Sequence, residues 1–261
     1  MNSDPQQNKP LSGAELVNPY DDSRNKGEQV EEMFDSIAPA YDFMNTAMSM
    51  GLHRHWRRRA LNAADDLRKG RRTLKILDIA TGTGDVAFDL YSRYPDADVT
   101  GVDLSDGMLG IARRKLAKES ERARRHISFE QGDSLNLRFA DNTFDLITVA
   151  YGVRNFEHLE AGLREMARVL RHGGTLCIIE LSCPTGKITR KGYNLYTGQI
   201  IPRLGRMISG DSRAYSYLPE SIAAAPQRAE LTRLMEEAGL SDAAWKSLTM
   251  GVITYYTATK K

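Results

Sequence analysis

Two glycines and two carboxylates, placed at the ends of strand-like segments, are the residues best suited to chemistry in this chain. Gly82 and Gly84 follow the mostly apolar run Leu74–Ala80 and precede Asp85, so the chain turns sharply where a short buried strand ends. Because glycine lacks a Cβ atom, the backbone there can turn tightly and let a ligand approach closely. A second strand-like segment ends on Asp103, whose carboxylate can accept hydrogen bonds from both ribose hydroxyls of an adenosine. The spacing therefore predicts a cofactor site.

The glycine turn alone leaves more than one ligand open. Gly82-x-Gly84-x-x-Ala87 also fits the loose fingerprint of nicotinamide dinucleotide enzymes, and a tight turn without any ligand has the same sequence. A third strand-like segment leads into Asp133 and Ser134, where a carboxylate can accept a hydrogen bond from an adenine amino group. Three strand ends that supply polar groups to one ligand favour a cofactor that contains adenosine.

Length and composition narrow the classes of protein. The 261 residues suffice for one large α/β domain, and 36 Lys and Arg nearly balance 34 Asp and Glu, so bulk charge does not indicate a nucleic-acid partner. Cys177 and Cys183 are too few for a disulfide framework and lack metal-ligand spacing with the histidines, so we expect reduced thiols and no metal. No apolar run reaches the roughly 18–20 residues that span a bilayer, and no hydrophobic signal core is present. We expect a cytoplasmic protein.

The order of elements predicts the fold. Over residues 28–261, strand and helix patterns alternate with short connections, which is typical of one doubly wound α/β domain with a mostly parallel sheet. Ser105 is a predicted N-cap, and His172–Gly174 is a predicted glycine C-cap for the helix that precedes the fifth strand. The last two of seven predicted strands form an antiparallel hairpin at the sheet edge. The later predicted strands are Phe144–Ala150, Thr175–Leu181, Ala243–Leu248 and Val252–Thr259.

Three segments lie outside this alternation. Residues 1–27 are polar and without apolar period, so we expect a flexible tail. Residues 28–72 carry apolar positions at helical spacing and either pack on the domain or form a helical lid over the cofactor. Residues 187–225 begin with the apolar and basic stretch Lys187–Ser209, which contains no acid and packs as a surface helix, meets a membrane surface or covers a greasy substrate. The basic clusters His53–Arg59 and Arg68–Arg72 either face solvent or attract anionic lipid headgroups.

Several motifs, taken together, connect the chain with a known family. They are Met33–Asp42 with Asn45, the glycine loop Leu77–Asp85, Asp141–Asp145, Gly152–Phe156, Tyr217–Ser221 and Thr254–Tyr256. With them the chain resembles the S-adenosylmethionine-dependent methyltransferases, and most closely the C-methyltransferases of the demethylmenaquinone and ubiquinone pathways. The glycine loop marks only the broad class, whereas the first motif and Gly152–Phe156 together are specific. The resemblance extends from Glu28 to the C-terminus.

This resemblance implies a Rossmann-like class I methyltransferase fold and a particular reaction. The expected reaction is C-methylation of the reduced demethylmenaquinone ring with S-adenosylmethionine, the last step of menaquinone biosynthesis, on a prenylated naphthoquinol. The alternatives are the benzoquinol of the ubiquinone pathway, as sole or second substrate, and a non-catalytic S-adenosylmethionine-binding protein. A substrate of the bilayer implies peripheral contact with the inner face of the membrane, and a homodimer is left open.

The resemblance also implies roles for individual residues. Those expected to contact S-adenosylmethionine are Thr83, Asp103, Asp133 and Ser134, and those expected to line its pocket are Gly82 and Asp85. We hypothesise that Arg154 stabilises a developing phenolate and that Asn155 holds the reacting hydroxyl or a water, while a structural salt bridge is the alternative for Arg154. The general base is left open among Tyr41, Asp85, Glu180 and water.

The sequence departs from the family pattern at two positions, and it lacks a motif that is typical of nucleic-acid amino-methyltransferases. Family members often carry a hydroxyl at the position of Ala150 and an aromatic ring at that of Ala225, so no cofactor contact is assigned to Ala150. A nucleic-acid amino-methyltransferase usually carries an Asn/Asp-Pro-Pro-aromatic run after its fourth strand to grip a flipped base. Tyr151–Arg154 is not such a run, so we expect no nucleic-acid partner.

Overall fold

The computed structural model describes residues 13–20, 23–68, 75–200 and 212–261, and in these ranges a seven-stranded sheet is flanked by helices. The strands are β1 (Lys75–Ile79), β2 (Asp98–Asp103), β3 (Ile127–Gln131), β4 (Phe144–Ala150), β5 (Leu170–Leu181), β6 (Ser241–Leu248) and β7 (Ile253–Thr259). The helices are α1 (Lys26–Ile37), α2 (Tyr41–Ser49), α3 (Leu52–Arg68), α4 (Asp85–Arg93), α5 (Asp106–Leu116), α6 (Glu121–His126), α7 (Leu159–Val169), α8 (Lys187–Leu195), α9 (Ser212–Ala224) and α10 (Ala229–Glu237).

The sheet has the order β3-β2-β1-β4-β5-β7-β6, and β7 runs antiparallel to both of its neighbours, β5 and β6. The first five strands are parallel, so their carboxyl ends meet at one edge on either side of the β1–β4 junction, where the strand order reverses. This confirms the predicted doubly wound, mostly parallel sheet and its C-terminal antiparallel hairpin.

Strand β1 is buried on both faces of the sheet. Leu77 and Ile79 belong to a core that α7 and α10 cover, whereas Ile76 belongs to the opposite core with Leu90 of α4 and Ala60 of α3. Alternate side chains of one strand therefore enter two cores, as the period of two in a strand requires. The continuous apolar pattern of this strand follows from its coverage on both faces.

Two predicted helix boundaries have different outcomes. Ser105 is the N-cap of α5, because its Oγ accepts a hydrogen bond from the amide of Met108 at 3.0 Å. The predicted C-cap at His172–Gly174 is wrong, since α7 ends at Val169 and β5 begins at Leu170. The amide of Gly173, at φ +74°, donates to the carbonyl of Lys260 at 2.7 Å. The glycine pair therefore bends an extended strand onto the end of β7 instead of capping a helix.

The described part of the predicted tail packs against the domain, while residues 1–12 and 21–22 lie outside the described residues. Ala14 is buried in a short 3-10 turn, and the neighbouring Glu15 accepts a hydrogen bond from the amide of Leu159 at the start of α7. The ammonium of Lys26 donates to the carbonyls of Ala14 and Arg154. The chain is thus anchored before residue 28.

The two predicted helical segments are helical where they are described. Residues 26–68 form α1, α2 and α3, residues 187–200 form α8 and a π-helical turn at Tyr196–Ile200, and residues 212–224 form α9. Residues 69–74, which include part of the second basic cluster, and residues 201–211 lie outside the described residues. Among the helices that are described, none combines the length and apolar content needed to cross a membrane.

Gly84 provides a test of how tightly the glycine turn is constrained. We expect Gly84→Ala to lower the free energy of unfolding by about 2 kcal/mol or more, since φ is +84° and the added Cβ would lie 2.7 Å from Cζ of Phe129. The corresponding fall in melting temperature, about 5 °C, is measurable by differential scanning calorimetry. Gly192→Ala is the matched control, because a Cβ there meets nothing within 4 Å. Equal melting temperatures for the two variants would contradict this account.

Candidate functional site

Buried hydrogen bonds shape the glycine loop. The carboxylate of Asp78 in β1 accepts from the hydroxyls of Thr81 at 2.6 Å and Thr148 at 2.5 Å, which ties the loop to β4. Burial raises the pKa of Asp78 to about 7, although the two threonine hydroxyls oppose the increase. Gly82 and Gly84 both have positive φ values, as the predicted tight turn requires.

Asp103 joins the end of β2 to this loop. One of its carboxylate oxygens accepts from the amide of Gly82 at 2.7 Å, and the other accepts from the amide of Ser105 at 3.0 Å. Burial raises its pKa to about 6, against the effect of these two hydrogen bonds. Because a carboxylate offers about four acceptor positions, the side chain retains the capacity to bind ligand hydroxyls.

A cavity of about 250 Å³, the smaller cavity, opens beside Asp103 at the carboxyl ends of the strands. It brings together four of the six predicted cofactor residues, namely Gly82, Asp103, Asp133 and Ser134. Asp133 accepts from the amide of Leu135 through one oxygen at 2.8 Å, and no hydrogen bond to its other oxygen is found within the described ranges. Apolar side chains complete the wall: Val102, Leu104, Met108, Leu135 and Phe156. This combination suits an adenosine, which has a flat apolar ring and polar edges.

A second cavity of about 500 Å³, the larger cavity, lies between the sheet edge and helices α1, α2, α3, α8 and α9. Its wall includes Thr83, Asp85 and Arg154, together with a predominantly apolar set of side chains. That set includes Met33, Ile37, Met44, Met48, Trp56, Val86, Leu181, Ile222 and Val252. The two cavities adjoin at the glycine loop, because six residues line both of them. These residues are Phe34, Tyr41, Ala80, Gly82, Ala150 and Tyr151. A reactive group held in one can face a substrate held in the other.

Thr83 and Asp85 take part in a polar cluster that joins α2 to the glycine loop. The hydroxyl of Thr83 donates to Asp42 at 2.5 Å, and the ammonium of Lys115 pairs with Asp42 at 2.6 Å and Asp85 at 2.7 Å. We call Asp42, Thr83, Asp85 and Lys115 the lid clamp. Sequence reasoning missed Asp42 and Lys115, although Asp42 ends the first family motif. The clamp connects the predicted lid directly with the cofactor loop.

Arg154 lies at the wall of the larger cavity and pairs with Glu180 inside the protein. Its Nη1 donates to Glu180 at 2.8 Å and also to the carbonyl of Tyr151, and both charged side chains are less than 10% exposed. Burial would lower the pKa of the guanidinium, but the charge of Glu180 holds it above the ordinary value. Nε is buried, and neither Nε nor Nη2 has a hydrogen-bond partner within the described ranges. The salt bridge expected as an alternative is present, yet it leaves guanidinium donors unused.

Asn155 and Tyr41 occupy different positions relative to the cavities. Asn155 lines the smaller cavity, where its Oδ1 accepts from the hydroxyl of Tyr217 at 3.0 Å. Tyr41 lines both cavities and packs edge-on against Phe34, with ring centroids 6.1 Å apart. Burial raises the pKa of Tyr41, which makes its phenol a poorer proton acceptor at neutral pH. The structure thus brings Arg154 and Tyr41, but not Asn155, to the larger cavity.

His53 is a further polar residue of the larger cavity. It is 6% exposed, and its Nδ1 lies 2.6 Å from the hydroxyl of Ser49, the last residue of α2. In the sequence it belongs to the basic cluster His53–Arg59, and its spacing to Ser49 gives no signal, because Ser49 ends α2 and His53 lies on α3. Across the described ranges, no group of three or more His, Cys, Asp or Glu is arranged to hold a metal ion.

The chain is similar to known proteins over most of its length. The model of the ubiE/COQ5 methyltransferase family matches residues 22–260. A demethylmenaquinone methyltransferase of Bacteroides fragilis is 44% identical over 246 residues, which cover 94% of this chain and 98% of the relative. A ubiquinone/menaquinone biosynthesis C-methyltransferase of Geotalea daltonii is 39% identical over 236 residues, which cover 90% of this chain and 97% of the relative.

Solved structures share the fold at much lower sequence identity. A SAM-dependent methyltransferase from Thermotoga maritima superposes with a TM-score of 0.57 at 18% identity, covering 88% of this chain and 99% of that one. At this level of identity the likeness concerns the fold alone. It agrees with the mostly parallel, doubly wound sheet of this chain.

Proposed function

The chain belongs to the ubiE/COQ5 methyltransferase family and is an S-adenosylmethionine-dependent methyltransferase, and on that basis we propose that it methylates a ring carbon of reduced demethylmenaquinone, the last step of menaquinone biosynthesis. The observation that carries this proposal is the larger cavity, which is mostly apolar, adjoins the cofactor cavity and holds the guanidinium of Arg154 in its wall. Its apolar wall suits a prenylated naphthoquinol, and its polar residues suit the ring hydroxyls.

The residues of the smaller cavity fit S-adenosylmethionine. Asp103 offers free acceptor positions to two ribose hydroxyls, and Asp133 offers an oxygen to the adenine amino group. Gly82 presents a backbone without a Cβ at the junction of the cavities, so the methionine portion can pass close to the loop. In this arrangement Ser134 lines the adenosine site, whereas Thr83 and Asp85 support it through the lid clamp.

The reaction requires the protein mainly to position the quinol ring against the methyl group and to stabilise the charge on the ionised hydroxyl. S-adenosylmethionine supplies an electrophilic methyl group on a positively charged sulfur. The quinol ring carbon must approach it to roughly 3–3.5 Å, with its adjacent hydroxyl ionised so that charge reaches that carbon. An anion and a cation then combine, which a site closed to water favours because charges attract more strongly there. Helices α1 to α3 and α8 to α9 supply that closure.

We assign Arg154 the stabilisation of the phenolate. Its Nη2 has no hydrogen-bond partner within the described ranges, and Glu180 fixes the guanidinium plane through Nη1. Asn155 and Tyr41 are assigned to positioning. Asn155 holds the hydroxyl of Tyr217, and Tyr41 covers Gly82 where the two cavities adjoin.

A second substrate is favoured by the names of relatives. Some, such as the protein of Geotalea daltonii, are named for both the ubiquinone and the menaquinone pathways. A benzoquinol ring is smaller than a naphthoquinol ring and fits the same mostly apolar cavity of about 500 Å³. The methylation of a benzoquinol, as sole or second substrate, is therefore the alternative proposal.

We also propose peripheral contact with the membrane around the mouth of the larger cavity. Met50 and Met250 line that cavity yet are 84% and 73% exposed, and Ile188 on the adjoining α8 is 87% exposed. Exposed Lys187, Arg190 and Lys191 lie on the same helix. Apolar side chains beside basic ones suit an anionic lipid surface, from which a prenylated substrate can enter without crossing water.

The first prediction tests the reaction itself. We expect the purified protein to add one methyl group to the ring of a reduced short-chain demethylmenaquinone in the presence of S-adenosylmethionine, as measured by mass spectrometry of the quinones. Methylation of the corresponding demethylated benzoquinol in a parallel incubation would add the second substrate. Binding of S-adenosylmethionine without methylation of either quinol would contradict the proposed function and favour a non-catalytic binding protein.

Arg154→Lys serves as the active-site control in that assay. The lysine keeps a positive charge beside Glu180 but loses the guanidinium donors, so we expect about a 100-fold lower kcat and a nearly unchanged Kd for S-adenosylmethionine. Arg164→Lys is the matched surface control, because Arg164 faces Glu160 across one turn of α7 at 4.0 Å. Equal losses of turnover and cofactor affinity in Arg154→Lys would count against a role for Arg154 at the phenolate.

A further prediction concerns the pH dependence of cofactor binding. The folded-state pKa of Asp103 is about 6, above its ordinary value, so the accepting carboxylate is lost as the pH falls through 6. We expect the Kd for S-adenosylmethionine, measured by isothermal titration calorimetry, to rise about tenfold between pH 7 and pH 5. Asp103→Asn should bind weakly and lose this pH dependence. A constant Kd in the native protein over this range would argue against ribose binding by Asp103.

Vesicle sedimentation tests the membrane proposal. We expect the protein to sediment with vesicles that contain anionic lipid at low salt, and Met50→Ser with Ile188→Ser to reduce the bound fraction several-fold. Trp245→Ser is the control, since Trp245 is 43% exposed on β6 and does not line the cavity. An equal reduction in Trp245→Ser, or no sedimentation of the native protein, would exclude this surface.

A further inference from the structure

His53 is a buried titratable residue of the larger cavity that the mechanism above does not use. It lies in the first turn of α3, and it is 6% exposed. Thr83 and Asp85 of the glycine loop and Arg154 lie in the same cavity wall. The imidazole therefore faces the space assigned to the quinol ring, on the side of the glycine loop.

Hydrogen bonds of Ser49 determine which nitrogen of His53 carries the proton. The hydroxyl of Ser49 lies 2.6 Å from the carbonyl of Asn45 and 2.6 Å from Nδ1 of His53. A hydroxyl has one hydrogen, and the carbonyl can only accept, so that hydrogen goes to Asn45. Nδ1 must then carry its own hydrogen and donate it to the oxygen of Ser49. In the neutral ring this leaves Nε2 with a lone pair.

Nε2 is free to accept a proton from a ligand. Within the described ranges it has no hydrogen-bond partner, although the ring as a whole is buried. Burial lowers the pKa of His53, and Arg57 and Arg54 on its own helix act in the same direction. Asp85 and Asp89 of α4 oppose them without reversing the shift. The neutral, proton-accepting form is therefore populated at neutral pH.

The other candidate bases are less suitable. Burial raises the pKa of Tyr41, so its phenol stays protonated at neutral pH. Burial alone would also raise the pKa of Asp85, but its hydrogen bond and charge pairing with Lys115 hold it below the ordinary value, which makes it a weak base. The carboxylate of Glu180 accepts from Nη1 and the amide of Arg154 and from the amide of Leu181. The carboxylates of Asp85 and Glu180 are thus engaged with cationic side chains, whereas no hydrogen bond to Nε2 of His53 is found within the described ranges.

We infer that His53 is the general base of the methyl transfer, with Nε2 taking the proton of the ring hydroxyl adjacent to the methylated carbon. This role rests on the proposed function. The O–H bond breaks, its proton moves to Nε2 and its electron pair stays on oxygen. The adjacent ring carbon forms the new bond to the methyl group, while the sulfur keeps the electron pair of its broken bond. The ring hydrogen at that carbon then leaves as a proton, the imidazolium returns its proton to the oxygen, and one proton is released in total.

Nuclear magnetic resonance of the free protein tests the premise without any turnover. In protein labelled with ¹⁵N histidine, we expect His53 to show the neutral tautomer with hydrogen on Nδ1 at pH 7.5. Ser49→Ala removes the acceptor for that hydrogen, and the resonances should then shift towards a tautomer mixture. A hydrogen on Nε2 in the native protein, or a charged imidazolium at pH 7.5, would overturn the inference.

Kinetics with a matched histidine pair test the role in the reaction. We expect His53→Gln to lower kcat for the quinol about 100-fold with an unchanged Kd for S-adenosylmethionine, whereas the exposed His55→Gln keeps native activity. His53→Ala leaves space beside the cavity, so added imidazole should restore part of its activity and none in Arg154→Lys. The native pH profile of kcat should rise through the pKa of His53, and this rise should be absent in His53→Gln.

The outcomes separate this inference from the proposed function. Methylation by the native protein with unimpaired turnover in His53→Gln would overturn the role of His53 and leave the function intact. If His53→Ala binds S-adenosylmethionine normally but added imidazole restores none of its activity, the role of His53 is likewise overturned. A native protein that methylates no quinol would overturn the proposed function, and the role of His53 with it.

Discussion

The hydrogen bond from the amide of Gly82 to the carboxylate of Asp103 is the constraint on which the site depends. It joins the loop after β1 to the end of β2, next to the point where the strand order reverses. The same carboxylate forms the wall of the smaller cavity, so the residue that fixes the loop also faces the ligand space. Asp78 acts beneath it by tying Thr81 to β4. The carboxylates of Asp78 and Asp103 thus set the shape of a loop whose own sequence is largely glycine and threonine.

The arrangement of the two cavities around this loop explains why the flanking helices belong to the catalytic unit. A parallel sheet provides the strand ends, but it provides neither a cover over the site nor an apolar cavity beside it. Helices α1 to α3 and α8 to α9 provide both, and the lid clamp connects α2 with the loop through Asp42 and Lys115. Closure of the substrate space and the position of the cofactor loop are therefore mechanically connected. Such a connection suits a reaction between a cation and an anion, which loses most of its electrostatic advantage in water.

Much of the fold follows from local sequence, and the site follows only in part. Apolar runs with abrupt polar ends identified the strands, and Ser105 was identified as an N-cap, because these signals depend on neighbouring residues alone. The bend at Gly173 was misassigned, since its cause is a backbone hydrogen bond with Lys260, far along the chain. Two contacts of the lid clamp were missed for the same reason, since both join residues far apart in the chain. They are the ion pair between Lys115 and Asp85 and the hydrogen bond from Thr83 to Asp42 of α2. The sequence did not single out His53 within the basic cluster His53–Arg59. Its burial in the wall of the larger cavity distinguishes it, and its spacing does not.

The anchoring of the N-terminal segment has a consequence for how the protein can be handled. Glu15 accepts from the first amide of α7, and the ammonium of Lys26 donates to the carbonyl of Arg154, so these two residues contact both ends of the segment 154–159. Burial lowers the pKa of Lys26 to about 8, with Glu15 as its principal compensating charge. Loss of residues 13–20 to a protease, or their displacement by a fused affinity tag, would remove Glu15 and leave the buried ammonium of Lys26 beside Arg154 without that compensating charge. Glu15 and Lys26 thus help to hold Arg154 in place at the wall of the larger cavity.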